Sequence, residues 1–331
     1  MQFFIFFIAA LFCSMLVMKP VIAFAKKIDF QEKPRPDIPR KLHKEPKPYL
    51  ASVPMFIIYW ALLFVSAESF SLKTAVVFGA SLIILLIGLW DDWYKINYKD
   101  LPALPKLVVQ FIACVLVFSV GVRFVGFTNP FTGTFILLPL TVQFIFTILW
   151  IFGITTIINF SDGMDGLAGG LCFIASSSLF VVALINGDAV NALACIILAG
   201  TCLGYLKYNK YPSLILMGDS GATFLGFMLA TIALDGVFKQ ATVISLVVPI
   251  LIFALPIFDN LYVMFLRYKN KQPLHIGDAN QMHFRLHLGG ISQKLTVYFM
   301  YLISACLSLV AIILMLITKT TSLALFGLVI W

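Results

Sequence analysis

Charged side chains are scarce in this chain. Asp, Glu, Lys and Arg together make up 11% of its 331 residues. A soluble globular domain carries roughly 25% and needs that charge to cover its surface, so a soluble fold of this length is excluded. Paired cysteines are also missing. Cys13, Cys114, Cys172, Cys195, Cys202 and Cys306 all fall in apolar runs, and none forms a C-x-x-C pair. They read as buried small hydrophobes rather than as a redox or zinc site. No basic stretch precedes the apolar N-terminus, and the run is too long for a cleaved signal. Residues 2–25 therefore read as a retained first helix, with Lys26 and Lys27 behind it.

Long apolar runs are what the chain has in abundance. Hydrophobic residues make up 61% of it, and the mean hydropathy is +1.01. About 20 apolar residues cross the hydrocarbon of a bilayer at 1.5 Å each. Helices are expected over 2–25, 53–71, 73–90, 106–126, 136–158, 166–186, 189–206, 214–235, 240–266 and 294–318. The stretch 322–331 is too short for a full span unless it tilts. The expected fold is all-α: a polytopic membrane protein of ten or eleven helices, forming one domain over 1–331.

Positive charge sets an orientation. With the N-terminus outside, the cytoplasmic loops become 26–52, 91–105, 159–165, 207–213 and 267–293. The first loop alone holds Lys26, Lys27, Lys33, Arg35, Arg40, Lys41, Lys44 and Lys47. The outer side keeps Lys73, Arg123, Lys239 and Lys319, as the positive-inside rule requires. The net charge of +8 also suits anionic headgroups. Basic residues scattered between spans do not suit a nucleic acid.

Acidic residues gather on the same side, although orientation does not require it. Three clusters stand out: Asp91-Asp92 with Lys95; Asn159-Phe160-Ser161-Asp162-Gly163-Met164-Asp165-Gly166; and Met217-Gly218-Asp219-Ser220-Gly221. Any one of them is an ordinary turn or helix cap. Three on one membrane face suggest a site. Hard oxygen ligands suit Mg²⁺, which takes one or two carboxylates and completes its shell with phosphate and water. The glycines let backbone approach a ligand, and the helix starts offer N–H groups to phosphate. The last loop adds His275, Asp278, His283, Arg285 and His287 as phosphate partners. Asn209 could read a nucleobase or sugar edge. The residues alone point to a Mg²⁺–phosphate site at the cytoplasmic membrane surface. A transporter would place ionisable residues near midplane, and these helices are nearly free of them.

The order of motifs resembles the polyprenyl-phosphate N-acetylhexosamine-1-phosphate transferases. Arg40-Lys41-Leu42-His43 and later prolines come first. Asp91-Asp92, Asn159 to Gly166, Tyr208-Asn209 to Asp219, and the histidine loop follow. The resemblance covers nearly the whole chain. It implies Mg²⁺-dependent (alternatively Mn²⁺-dependent) transfer of a sugar 1-phosphate, GlcNAc-1-phosphate first among candidates, from a UDP-sugar to polyprenyl phosphate. UMP is released, and a cell-envelope glycan begins at the bacterial cytoplasmic membrane. The resemblance places Asp219 on the metal and Asp91 and Asp92 by the metal and lipid phosphate, one of them as a base. Asn159, Asp162 and Asp165 form the nucleotide-sugar side and Asn209 holds the nucleoside. His283 faces the diphosphate, with Lys41, His43 and Arg285 as further substrate contacts. It also allows a homodimer. Two departures keep alternatives open. The usual D-R-x-H-x-H-H reads Asp278-Ala279-Asn280-Gln281-Met282-His283-Phe284, and Ala51-Ser52 stand where paired glycines are usual. The alternatives are phospho-MurNAc-pentapeptide transfer and a non-catalytic polyprenyl-phosphate-binding protein.

Overall fold

The computed structural model describes residues 1–34, 45–66, 71–97, 101–129, 132, 134–237, 243–271 and 280–330, with the side chains of 243–245 and 320–330 outside that description. Lys41, His43 and Asp278 lie outside the described residues, and so does most of the first loop's basic stretch. Twelve helices are described, with two short hairpin pairings.

Among the described residues six helices are long and apolar enough to cross a membrane: α1 (Gln2–Lys27), α3 (Leu72–Ile96), α5 (Leu140–Ser161), α6 (Leu167–Asn186), α7 (Ala189–Asn209) and α12 (Gln293–Ile330, over Gln293–Lys319). Two shorter apolar helices are α2 (Ser52–Ser66) and α4 (Ala103–Ser119). The chain is thus a multi-pass, all-α membrane protein.

Helix α8 (Gly218–Gly236) is the hub. Every residue in it except Asp219 is buried, and α2, α3, α5, α6 and α7 all pack on it. A helix that is apolar all round belongs inside a bundle. At 1.5 Å per residue, its end carboxylates Asp219 and Asp235 sit about 24 Å apart along the axis. Asp235 receives Lys73 from the start of α3 at 2.6 Å, and Asn191 from α7 at 3.4 Å. The antiparallel α3 therefore meets α8 through charged groups at both ends, with Asp91 and Asp92 at the other.

Small residues let these helices touch, as in membrane bundles generally. A Cβ on Gly88 of α3 would stand 2.8 Å from the Ser220 backbone nitrogen, and one on Gly204 of α7 would stand 2.6 Å from the Leu11 carbonyl. Ser14 donates to the Thr201 carbonyl and Tyr208 to the Met15 carbonyl, locking α1 onto α7.

Four features differ from the sequence-based expectation. Helix α3 runs past residue 90, so Asp91 and Asp92 lie inside its last turns. The expected span 240–266 is two helices, α9 (Val243–Ile252) and α10 (Ala254–Lys269), bent by 76°. Pro249 and Pro256 flank the break, and each removes an N–H from the ladder. Residues 322–330 are no separate segment: they continue α12, because no Gly or Pro precedes Gly327. The loops also carry structure. β1 (Gln31–Glu32) pairs with β2 (Lys47–Pro48), β3 (Gly126–Thr128) pairs with β4 (Phe135–Leu137), and α11 (Met282–Leu288) lies in the last loop.

The Gly88–Ser220 contact yields a prediction. Gly88→Ala must push α3 away from α8, an overpacking worth roughly 1–3 kcal/mol. The purified variant is expected to melt several degrees below the wild type in detergent. An unchanged melting temperature would show that the two helices do not meet this closely.

Candidate active site

The charged end of the bundle is built around the first turn of α8. The N–H groups that open a helix have no partner within it. Here Asp92 supplies the acceptor from another helix. Its carboxylate takes the Asp219 N–H at 2.8 Å, the Ser220 N–H at 3.2 Å and the Ser220 hydroxyl at 2.6 Å. Asp92 is fully buried. Gly218 enters this turn at φ +68°, and a Cβ there would stand 2.7 Å from Asp92 Cγ. Both the left-handed backbone and the closeness of the carboxylate call for glycine.

Asp91, one residue earlier, points elsewhere. Its carboxylate takes Lys106 from α4 at 3.1 Å and Lys95 at 3.1 Å. Lys95 also reaches Asp219 at 2.5 Å, and Asn159 at the end of α5 stands 3.5 Å from the other Asp219 oxygen. One ammonium thus sits between the Asp91 and Asp219 carboxylates. Asp91 is buried, while Lys95 and Asp219 keep about a quarter of their side chains exposed, at 22% and 24%.

The turn from α5 into α6 forms the neighbouring wall. Asp162 is half-buried. Its carboxyl is pushed up to about 8, first by burial and then by the negative charges of Asp219, Asp92, Asp165 and Glu32. Asp165 is held: Lys47 reaches its two oxygens at 2.9 and 3.1 Å, and Ser213 gives it an N–H at 3.0 Å and a hydroxyl at 2.8 Å. This ties the first loop and the 210–217 segment to the Asp162 turn. Asn209 is buried. Its Oδ1 accepts from the Gly166 N–H at 2.9 Å, and its Nδ2 donates to the Ile215 carbonyl at 2.9 Å. Tyr301 from α12 donates to the Gly166 carbonyl at 2.5 Å. Both peptide groups of Gly166, at φ +85°, are therefore clamped.

The last loop closes over that turn. Gln281 donates to the Phe160 carbonyl at 2.8 Å, and the Met282 N–H to Asp259 at 2.7 Å. His283 is 1% exposed and lies against Gly163. Neither ring nitrogen has a hydrogen-bond partner among the described residues, and burial pushes its pKa down to about 3. Arg285 is exposed and lies over the Tyr262 ring at 4.8 Å. It borders an apolar groove of about 650 Å³ between α9, α10 and α12.

The structure therefore brings Asp91, Asp92, Asn159, Asp162, Asp165 and Asp219 together, with His283 on the same turn and Asn209 beneath it. It turns Arg285 toward the groove. Sequence reasoning left out Lys47, Lys106, Ser52, Ser220 and Tyr301 as site residues. Lys95 carried a signal, standing one helical turn after Asp91. Ser220 stands next to Asp219 in the third cluster, and Lys47, Lys106, Ser52 and Tyr301 become neighbours only through tertiary packing.

Among the described residues no three His, Cys, Asp or Glu side chains gather as a metal cage. Two carboxylates, Asp91 and Asp219, do converge on a cation. That donor set fits Mg²⁺, which takes one or two carboxylates and draws the rest of its shell from phosphate and water.

Residues 74–237 match the profile of "Glycosyl transferase family 4". The chain is 36% identical over 315 residues to the Bacillus subtilis (strain 168) "Probable undecaprenyl-phosphate N-acetylglucosaminyl 1-phosphate transferase", covering 93% of this chain and 84% of that one. It is 32% identical over 249 residues to the "Phospho-N-acetylmuramoyl-pentapeptide-transferase" of Chlamydia trachomatis serovar L2, covering 69% and 74%. The enzyme of the same name from Caldicellulosiruptor bescii is 27% identical, covering 90% and 93%.

The depressed pKa of His283 sets a pH dependence. Its folded value of about 3 lies below the ordinary 6.5. Below pH 6.5 the unfolded chain takes up a proton that the folded chain refuses. The stability this group contributes is complete above pH 6.5 and falls as pH drops toward 3, by about 1.4 kcal/mol per pH unit. The wild type is expected to lose more melting temperature between pH 7.5 and 5 than His283→Gln does. Equal losses would show that the ring charges freely in the fold.

Proposed function

Because the chain belongs to glycosyl transferase family 4, we propose that it transfers N-acetylglucosamine 1-phosphate from UDP-N-acetylglucosamine to undecaprenyl phosphate. UMP is released, and a cell-envelope glycan begins at the cytoplasmic face of a bacterial inner membrane. The observation that carries the reading is the pair Asp91 and Asp219, drawn around one cation at the end of an apolar bundle. The choice of donor follows the Bacillus subtilis relative, matched over nearly the whole chain. The cytoplasmic orientation follows the lysine-rich loops.

In the proposed reaction an oxygen of the lipid phosphate attacks the phosphorus that carries the sugar. A new P–O bond forms in line with the bridging P–O bond that breaks, and UMP leaves with that electron pair. A phosphate monoester has a second pKa near 6, so the acceptor is mostly dianionic at pH 7 and needs no strong base. The obstacle is repulsion between anions. Asp91 and Asp219 would hold Mg²⁺, which would supply charge screening between the two anions. Lys95 and Lys106 add positive charge beside Asp91. Asn159 and Asp162 line the donor side. Asp165, Asn209, Lys47 and Tyr301 fix the turn that carries them. His283, buried and neutral, supports that turn from the last loop. Half-exposed Trp90 and Trp93 suit the membrane interface, which sets the site at headgroup level.

The test is transfer of radiolabel to the lipid fraction by purified protein with undecaprenyl phosphate and Mg²⁺. Label is expected from UDP-GlcNAc, is lost on chelation, and falls at least about 10²-fold in Asp219→Asn, the scale of removing one electrostatic stabiliser. Label from UDP-MurNAc-pentapeptide alone would move the donor to that of the Chlamydia relative. No label from either would end the transferase reading.

A further inference from the structure

Asp92 takes part in a chain of buried groups that the proposed chemistry does not use. Ser220 Oγ stands 2.6 Å from Asp92 Oδ2 and 2.7 Å from Ser52 Oγ. Ser52, Ser220 and Asp92 are all fully buried. Both separations are ordinary O–H···O distances. A serine has one hydroxyl proton, and an ionised carboxylate only accepts. The Ser220 hydroxyl thus stands as donor between two acceptors, Asp92 Oδ2 and Ser52 Oγ. Ser52, Ser220 and Asp92 form one buried chain of contacts centred on Ser220, and hydrogen bonds in such a chain polarise one another.

Ser52 is well placed to start it. It opens α2, and the strand before it is bonded to the segment entering α8. The Leu216 N–H donates to the Pro48 carbonyl at 2.8 Å, and the Ala51 N–H to the Leu216 carbonyl at 3.4 Å. The same strand carries Lys47, paired with Asp165. The far end of the chain is the carboxylate that holds the Asp219 and Ser220 N–H groups.

We propose that Ser52 is a positioning residue: through Ser220 it holds Asp92 as a cap on α8, and so fixes the Asp219 carboxylate opposite Asp91. Asp92 belongs to this scaffold, and the two metal carboxylates are Asp91 and Asp219. The role rests on the reading of that pair as a metal site. It makes the first loop's docking part of the geometry of the site, since Ser52 reports where the loop lies.

The experiment is a cycle of Ser52→Ala, Ser220→Ala and the double variant in the full-length purified protein. Mn²⁺ binding is followed by electron paramagnetic resonance, beside melting temperature and transfer kinetics. Ser52→Ala is expected to weaken Mn²⁺ binding three- to tenfold. It should lower kcat by a similar factor with an unchanged KM for UDP-GlcNAc. In the Ser220→Ala background the Ser52→Ala step should change Mn²⁺ affinity less than twofold, because its only route is already cut. Fully additive effects would overturn the proposal. So would Mn²⁺ affinity within twofold of wild type in Ser52→Ala, or a loss that merely follows a lowered melting temperature. A wild type that binds Mn²⁺ but transfers no label would defeat the transferase reading, and the binding cycle would still judge the relay. A wild type that binds no Mn²⁺ would defeat both.

Discussion

A helix that begins inside an apolar bundle must find acceptors for its first N–H groups. Neither water nor lipid supplies them there. Asp92 answers that demand for α8, and much of the active end depends on it. The carboxylate must come close, so Gly218 has no side chain. Its helix must come close, so Gly88 lies on Ser220. Its second oxygen needs a firm donor, so Ser220 is a hydroxyl residue backed by Ser52. Asp219 then points out of the first turn of the hub helix, on the one side where α8 is not buried.

Burying negative charge carries its own demand. Asp91, Asp92 and Asp219 would repel one another in a poorly solvated place. Lys95 and Lys106 offset part of that charge. The site is therefore a carboxylate pair already drawn onto a cation, in a wall whose turn is fixed from three directions by Lys47, Asn209 and Tyr301. Such a wall can receive anionic phosphates without rebuilding itself, which is the form of preorganisation that electrostatic catalysis requires.

Much of this was legible in the sequence. The spans follow from hydropathy, and the meeting of the acidic clusters from loop parity along the chain. The closeness of Lys95 to Asp91 follows from helical spacing. The division of labour within the Asp91-Asp92 pair was not legible. Adjacent residues on a helix point about 100° apart, and only the position of α8 decides which of them caps it. Asp165 and Asn209 read equally as ligand contacts, because their partners Lys47, Ser213 and Ile215 meet them only by folding. Tyr301 lies in an apolar run with nothing to mark it. The break at Phe253 was hidden because hydropathy is blind to direction, although Pro249 and Pro256 were in view. His283 resembles a phosphate ligand in the sequence, yet it is buried beside Gly163, because α11 folds its apolar neighbour Phe284 into the core with it.

On the proposed reading Asp91 and Asp219 are the metal carboxylates, and Asp92 is the cap of α8. The most direct measurement is a crystal structure of the full chain with Mn²⁺, its position fixed by anomalous scattering. One peak is expected between the Asp91 and Asp219 carboxylates, with Asp92 still accepting from the α8 N–H groups. A peak coordinated by Asp92, or one placed between Asp162 and Asp165, would contradict it.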